Sequence, residues 1–217
     1  MIALLDTSHS LKVCSQELGC PVEQLFTPLN GFRPQDESAM FAIDNGAFSG
    51  FKRDAFLRKL EREASRISLC RFVAVPDVVV IGPHGPVGDA RRTLEVFEYW
   101  YPQLCDWPLA LVAQDGQENL PIPWDLIKAV FIGGSTAWKL SHHAAAVIRA
   151  AKSIGKWVHA GRVNTPGRFE YFEQLGVDSI DGQGLSQYTW MRKAIYEAAT
   201  KPTLFSKPDL EIEGEAA

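Results

Sequence analysis

The sequence has no apolar run near the roughly 18 residues that a membrane span requires. Its leading apolar stretch, Met1 to Leu5, meets Asp6 before the core of a signal peptide could form. A cytoplasmic protein with no membrane partner is expected. Cysteine is sparse: Cys14, Cys20, Cys70 and Cys105 include no C-x-x-C pair and no zinc spacing. Reduced thiols, no structural metal and no cofactor are therefore expected. Excess positive charge is also missing, since 22 Lys and Arg against 26 Asp and Glu leave a net charge of −4. Taken whole, that balance disfavours an electrostatically driven nucleic-acid binder. Its location weakens the objection: Asp209, Glu211, Glu213 and Glu215 crowd the last ten residues, which have no Lys or Arg, so residues 1–207 carry 22 charges of each sign. Lys52, Arg53, Arg91, Arg92, Lys139, Arg162 and Arg168 are then expected to line an approach on one face. Repeats, low-complexity tracts, G-x-G-x-x-G, Walker and G-x-S-x-G signatures are all absent.

What is present is a chain of 217 residues, 46% hydrophobic and 22% charged, enough for one substantial domain with a buried core. Short apolar runs read as buried strands at Ile2–Leu5, Phe41–Ile43, Phe72–Val75, Leu109–Val112, Ala129–Ile132, Trp157–His159 and Val177–Ile180. Stretches of helical spacing fall between most of them, at Asp54–Ile67, Asp89–Tyr101, Trp138–Ser153, Pro166–Leu175 and Ser186–Ala199. Strands apolar on both faces and joined by helices require a parallel sheet covered by helices. Asp6, Asp44, Asp77, Gln114, Gly133-Gly134, Arg162 and Asp181 each close a predicted strand. That distribution favours an α/β fold of the TIM-type (β/α)8 barrel, reduced or irregular, over an open doubly wound sheet, which gathers its site at one switch point. Seven strands are legible, with an eighth near Leu11–Ser15 or absent. Residues 1–200 are expected to form this single catalytic domain, and 201–217 a flexible acidic tail.

Any one strand-end aspartate reads equally as a helix cap or loop brace, but several on one rim suggest chemistry. Asp44 and Asp181 precede Asn45-Gly46 and Gly182, where a ligand can approach closely. Two carboxylates in one mouth can divide acid and nucleophile roles in glycosidic cleavage. Gln114 offers a donor and an acceptor to the edge of a heterocycle, or braces a loop. Gly133-Gly134 could turn backbone N–H groups toward a carbonyl or phosphate, or form a plain turn. His159, Arg162 and Asn164 stand at a strand end where they could touch sugar or phosphate at the rim. The pair His142-His143 lies within a predicted helix and reads as surface or packing. Gly82 to Gly88 reads as a loop, mobile at the rim or a plain connector.

From Phe41 to Gly182 the ordered strand ends resemble the tRNA-guanine transglycosylase superfamily, the barrel enzymes that exchange guanine for a 7-deazaguanine in tRNA, with relatives acting on DNA. Ile43-Asp44-Asn45-Gly46-Ala47-Phe48 resembles the Asp-Ser-Gly-Gly-Phe segment of the family's acid/base aspartate. Val75-Pro76-Asp77 resembles the base-reading strand end, Val112-Ala113-Gln114-Asp115-Gly116 the Val-Gln-Gly segment, and Ile132-Gly133-Gly134 the Gly-Gly turn. Gly176-Val177-Asp178-Ser179-Ile180-Asp181 resembles the segment whose second aspartate is the nucleophile. The resemblance thus implies Asp181 as nucleophile, Asp44 as proton donor, and Asp77, Gln114, Gly133 and Gly134 as base-binding residues. The family's zinc-binding cysteine cluster is missing, Ser135 stands where leucine is usual, and the chain ends about 35 residues after Asp181. Those departures turn the expectation from tRNA toward a DNA glycosylase that excises a modified base, suited to defence against phage. A transglycosylase acting on DNA or tRNA, with free nucleobase as product or co-substrate, is the near alternative. A phosphate-binding barrel enzyme acting on a small metabolite and a non-catalytic nucleic-acid-binding module are the other classes; oligomeric state is not legible.

Overall fold

A computed structural model describes residues 1–82 and 85–200. The expected acidic tail, 201–217, and Pro83 and His84 of the expected loop lie outside the described residues.

Eight parallel strands close into a barrel: β1 (Ile2–Leu5), β2 (Val22–Phe26), β3 (Phe41–Ile43), β4 (Cys70–Ala74), β7 (Leu109–Ala113), β8 (Ala129–Ile132), β9 (Trp157–Ala160) and β10 (Ser179–Ile180). Two further strands, β5 (Val79–Gly82) and β6 (Gly85–Gly88), form an antiparallel hairpin between β4 and the helix α3 (Ala90–Leu104). The barrel is TIM-type with outer helices, as the strand-end pattern predicts. Around the ring the order is β1-β10-β9-β8-β7-β4-β3-β2.

The eighth strand is not at Leu11–Ser15, and that expectation is corrected. Those residues open the helix α1 (Leu11–Leu18), capped by the Ser10 side chain and ended by Gly19 at φ +70°. The missing strand is β2, where Glu23 and Gln24 interrupt the apolar pattern. Both have partners that only the closed barrel supplies. Arg71 of β4 forms a two-bond ion pair with Glu23 at 2.9 and 2.6 Å, and Gln24 Nε2 donates to the carbonyls of Leu5 and Thr7.

The helices are α2 (Arg53–Glu63), α3, α4 (Thr136–Lys139), α5 (His142–Ser153), α6 (Pro166–Gln174), α7 (Gln183–Gln187) and α8 (Thr189–Thr200), besides α1. The continuous helix expected over Trp138–Ser153 breaks at Leu140-Ser141, because the Ser141 hydroxyl caps α5 by accepting from Ala144 N. Helix α8 packs on α1, and Arg192 bonds Glu17 at 2.6 Å. Gly19 admits this contact: a Cβ there would lie 2.4 Å from the Tyr196 ring.

Two apolar clusters reflect the alternation of the strands. Leu5, Ile43, Val73, Leu111, Ile132 and Val158 face the helices, whereas Leu4, Leu25, Ala42, Phe72, Val112 and Phe131 fill the barrel. Continuing the inward parity by two residues past this filling reaches Asp6, Thr27, Asp44, Gln114, Gly133, Gly161 and Asp181. The barrel is therefore filled mainly by apolar side chains, with the buried pair His159 and Ser179 among them, and topped by polar groups at the C-terminal strand ends. Among the described residues, no helix is long and apolar enough to cross a membrane. Cys14 and Cys70 are buried, Cys20 is half-buried and Cys105 is exposed, and each is a free thiol.

Candidate active site

The polar layer opens into a cavity of about 580 Å³. Asp44, Asp77, Gln114, Gly133, Gly134, Arg162, Asn164 and Asp181 all line it, together with Asp6. His159 does not, and its expected place at the rim is corrected. It points into the barrel beneath Asp181, fully buried, with Phe72 and Phe131 packed around its ring.

The buried histidine supports the carboxylate above it. His159 Nε2 lies 2.9 Å from Asp181 Oδ2, and its Nδ1 lies 2.9 Å from Ser179 Oγ. Trp157 Nε1 donates to the same Ser179 oxygen at 2.8 Å. A consistent chain has the Ser179 hydroxyl donating to Nδ1, which leaves the Nε2 proton for the carboxylate. The backbone N–H of Arg162 donates to Asp181 Oδ1 at 2.9 Å. Burial alone would raise the Asp181 pKa. The hydrogen bond from His159, the Arg162 N–H and the nearby Lys139 outweigh it, leaving the carboxyl below its ordinary value.

Asp44 behaves oppositely. Burial first, then the charges of Asp181 and Asp77, push its pKa up to about 7, with the backbone N–H groups of Gly46 and Asn45 giving partial relief. Asp77 is raised by burial to about 6, while Asn45 donates to its Oδ1 at 2.9 Å and to the Val75 carbonyl at 2.9 Å. Asn45 therefore ties the Asp44 strand end to the Asp77 strand end. Near neutral pH the mouth holds an ionised Asp181 and a protonated fraction of Asp44, the division of roles that acid-assisted displacement needs.

The opposite wall is built around Gln114. Its Nε2 donates to the Val78 carbonyl at 3.0 Å and to Thr93 Oγ1 at 2.5 Å, which spends both amide hydrogens. Its Oε1 lies against Gly88, where a Cβ would come within 2.4 Å. Asp115 orders the adjoining turns by accepting from Gly88 N, Ser135 N and Ser135 Oγ. Gly134 sits at φ +72°, and a Cβ on it would meet Asp115 Oδ2 at 2.5 Å, so the turn requires glycine at this position.

Arg162 is the one non-glycine residue with positive φ, at 60°, among the described residues. Its guanidinium donates to the Gly134 carbonyl and stacks 4.3 Å from the Phe48 ring centroid, joining the β3, β8 and β9 loops across the mouth. These contacts occupy the group that the sequence offers to a phosphate. Asn164 Oδ1 accepts from Gly184 N at 3.0 Å and braces the segment after Asp181. Lys139 is not on the approach either: it is buried, bonded to the Gly161 carbonyl, and lowered to about 7 first by burial and then by Arg162. His142, exposed, and His143, half-buried, lie side by side with tilted rings at the start of α5. No cluster of three or more metal-ligating side chains occurs among the described residues.

The roles of His159, Ser179 and Asn45 escape sequence reading. The one usable signal was parity, since His159 and Ser179 face each other in register two residues below Gly161 and Asp181. For any reaction that uses the ionised Asp181, we expect His159→Leu to lower the rate about 10- to 100-fold and to move the acid limb of the pH profile upward, since Asp181 loses its strongest support. A pH–rate series checks this, and an unmoved acid limb would count against the role of His159.

Folding also bears the cost of this site. Unfolded, Asp77 titrates near 3.8; folded, it titrates at about 6. Between those values the native state holds more protons, so its contribution to stability is greatest below pH 3.8 and falls as pH rises through 6. Asp77→Asn is expected to raise the melting temperature by roughly 5 °C at pH 8, with the gain shrinking toward pH 4. Thermal unfolding at the two pH values measures it.

Neither a protein-family model nor a curated protein matches this sequence. Among solved structures, a mandelate oxidase mutant with a monooxide FMN adduct is similar over 91% of this chain and 72% of its own, at 12% identity and a TM-score of 0.52. A designed cube-shaped porous protein cage aligns over 91% of this chain and 70% of its own, at 15% identity and a TM-score of 0.38, too slight a likeness to bear on the fold. What the oxidase shares with this chain is its architecture, an eight-stranded parallel barrel with outer helices.

Proposed function

We propose that this protein cleaves the N-glycosidic bond of a nucleobase, a modified base in DNA. The observation that carries the reading is the split between two carboxyls in one cavity, Asp181 held below its ordinary pKa and Asp44 raised to about 7. An Asp181 oxygen attacks C1′ as the bond from C1′ to the base nitrogen breaks, and Asp44 delivers its proton to the departing base. The electron pair of the broken bond stays on the base, and Asp181 becomes a glycosyl ester. Asp44, now a carboxylate, takes a proton from water, which opens the ester and leaves an abasic site. If a second base takes the place of water, the same residues perform an exchange.

Gln114, Asp77 and Gly134 line the space a base would fill, and a pocket of matched polar groups rejects bases that leave them unpaired. DNA is favoured over tRNA because residues 183–200, which follow the nucleophile, contain no cysteine and form α7 and α8 against the barrel. In the family that the sequence resembles, a zinc site occupies that position. A role against phage DNA carrying modified bases suits such an activity. The test incubates the protein with modified phage DNA, unmodified DNA and tRNA, then assays free bases by mass spectrometry and abasic sites by strand cleavage. Release from modified DNA alone supports the proposal; release from tRNA alone, or from none, counts against it.

A further inference from the structure

We propose that β5 presents a wedge to a DNA duplex beside the target nucleotide, with Ile81 filling the space the extruded base leaves. This rests on the reading of the cavity as a base-excision site. Asp181 and Asp44 lie inside the barrel mouth, so a base can reach them only by leaving its stack. Extrusion leaves a gap, and proteins that unstack DNA commonly fill it with an aliphatic side chain.

The hairpin has the position and chemistry for that task. Its two strands pair from Val79↔Gly88 to Gly82↔Gly85, and Val79 and Gly88 line the cavity. Ile81 is 82% exposed, the highest exposure of any large apolar side chain among the described residues. A β-branched aliphatic in water at the end of a ribbon contributes nothing to the core. The hairpin's base is anchored to the wall that would read the base. Gly88 packs on Gln114 and donates to Asp115, and Thr93 Oγ1 joins Val78 N to Gln114 Nε2.

Charge indicates what covers this element. Arg91 and Arg92 are exposed where α3 begins, directly after the hairpin, and Asp89 between them and the ribbon is engaged as the cap of that helix. Lys52 is exposed at the start of α2, on the same end of the barrel, because every helix following a strand starts at the mouth, whereas the guanidinium of the adjacent Arg53 lies 5.7 Å from the Trp100 ring centroid. An exposed aliphatic side chain on a strand that starts at the cavity rim, with Arg91 and Arg92 exposed just after the hairpin, fits a phosphate backbone with a stack of bases between its strands.

The test uses Asp181→Asn protein, to prevent turnover, and a short duplex with 2-aminopurine as its central base, whose fluorescence rises on unstacking. Fluorescence should rise severalfold on binding. Adding Ile81→Ser should remove most of that rise while changing the dissociation constant, read by anisotropy, less than about threefold. With Asp181 intact, Ile81→Ser should release base from modified duplex DNA at least tenfold more slowly, and from the same DNA as single strands at the wild-type rate. An unchanged fluorescence rise, equal rates on duplex, or no rise with the parent protein overturns the wedge. An Ile81-dependent rise with no base release from any DNA leaves the wedge standing and sinks the glycosidic reading instead. Because Ile81 is exposed, the substitution leaves the fold intact, and the melting temperature confirms it.

Discussion

Asp181→Asn should abolish base release, by about 10⁴-fold or more, because it removes the carboxylate of the mouth whose surroundings lower its pKa. The substitution keeps size and shape and changes one oxygen to an amide. Arg162 N–H can still donate to the remaining oxygen, so the mouth retains its geometry. His159 Nε2 would then face an amide and can adjust its proton through Ser179. A loss of activity with an unchanged melting temperature would therefore report chemistry and not collapse. A complementary result is expected from rapid quenching of the wild type: a glycosyl group attached to the peptide containing Asp181 and absent from the variant. If Asp181→Asn keeps a tenth of the wild-type rate, another group is the nucleophile.

Asp44→Asn is expected to lower base release by about 10²- to 10⁴-fold, the range that a positioned proton donor contributes. The wild-type rate should fall as pH rises through about 7, where Asp44 loses the proton it must deliver. In the variant that alkaline limb should disappear. A base that leaves without protonation offers a sharper check. N7-methylguanine already carries a positive charge, so its release from methylated DNA should be nearly insensitive to Asp44→Asn, provided the pocket admits it. Equal losses on neutral and cationic bases would mean that Asp44 holds the substrate and does not move a proton.

Both predictions depend on a difference between two aspartates that look alike in the sequence. Each closes a strand and each is followed within two residues by glycine, so apart from the family resemblance of their flanking motifs nothing local predicts a difference in proton affinity. Their difference comes from neighbours far away in the chain. Asp181 meets His159 from β9 and the Arg162 N–H, whereas Asp44 meets the negative charges of Asp181 and Asp77. His159 itself shows how position misleads. As the end of a β-branched run it reads as a rim residue, but strand parity turns its ring inward, two residues below the mouth.

The strands that were legible share a property. Ala129–Ile132 and Leu109–Ala113 are apolar on every residue because one face meets the barrel interior and the other meets helices. β2 was illegible because it carries Glu23 and Gln24, whose burial is tolerable only with Arg71 and the Leu5 and Thr7 carbonyls beside them. The segment after Asp77 was legible only as glycine- and proline-rich. Its pairing into a ribbon that projects Ile81 depends on contacts with Thr93, Gln114 and Asp115.

The amino-acid order was enough to establish an alternating parallel barrel and the ring of polar residues at its strand ends, since strand periodicity and the placement of helices are local matters. Which carboxyl is charged, which histidine supports it, and which loop stands at the mouth were decided only when the barrel closed. Proton affinity depends on burial and on charges a few ångströms away, and closure alone sets those distances between residues as remote as 44 and 181.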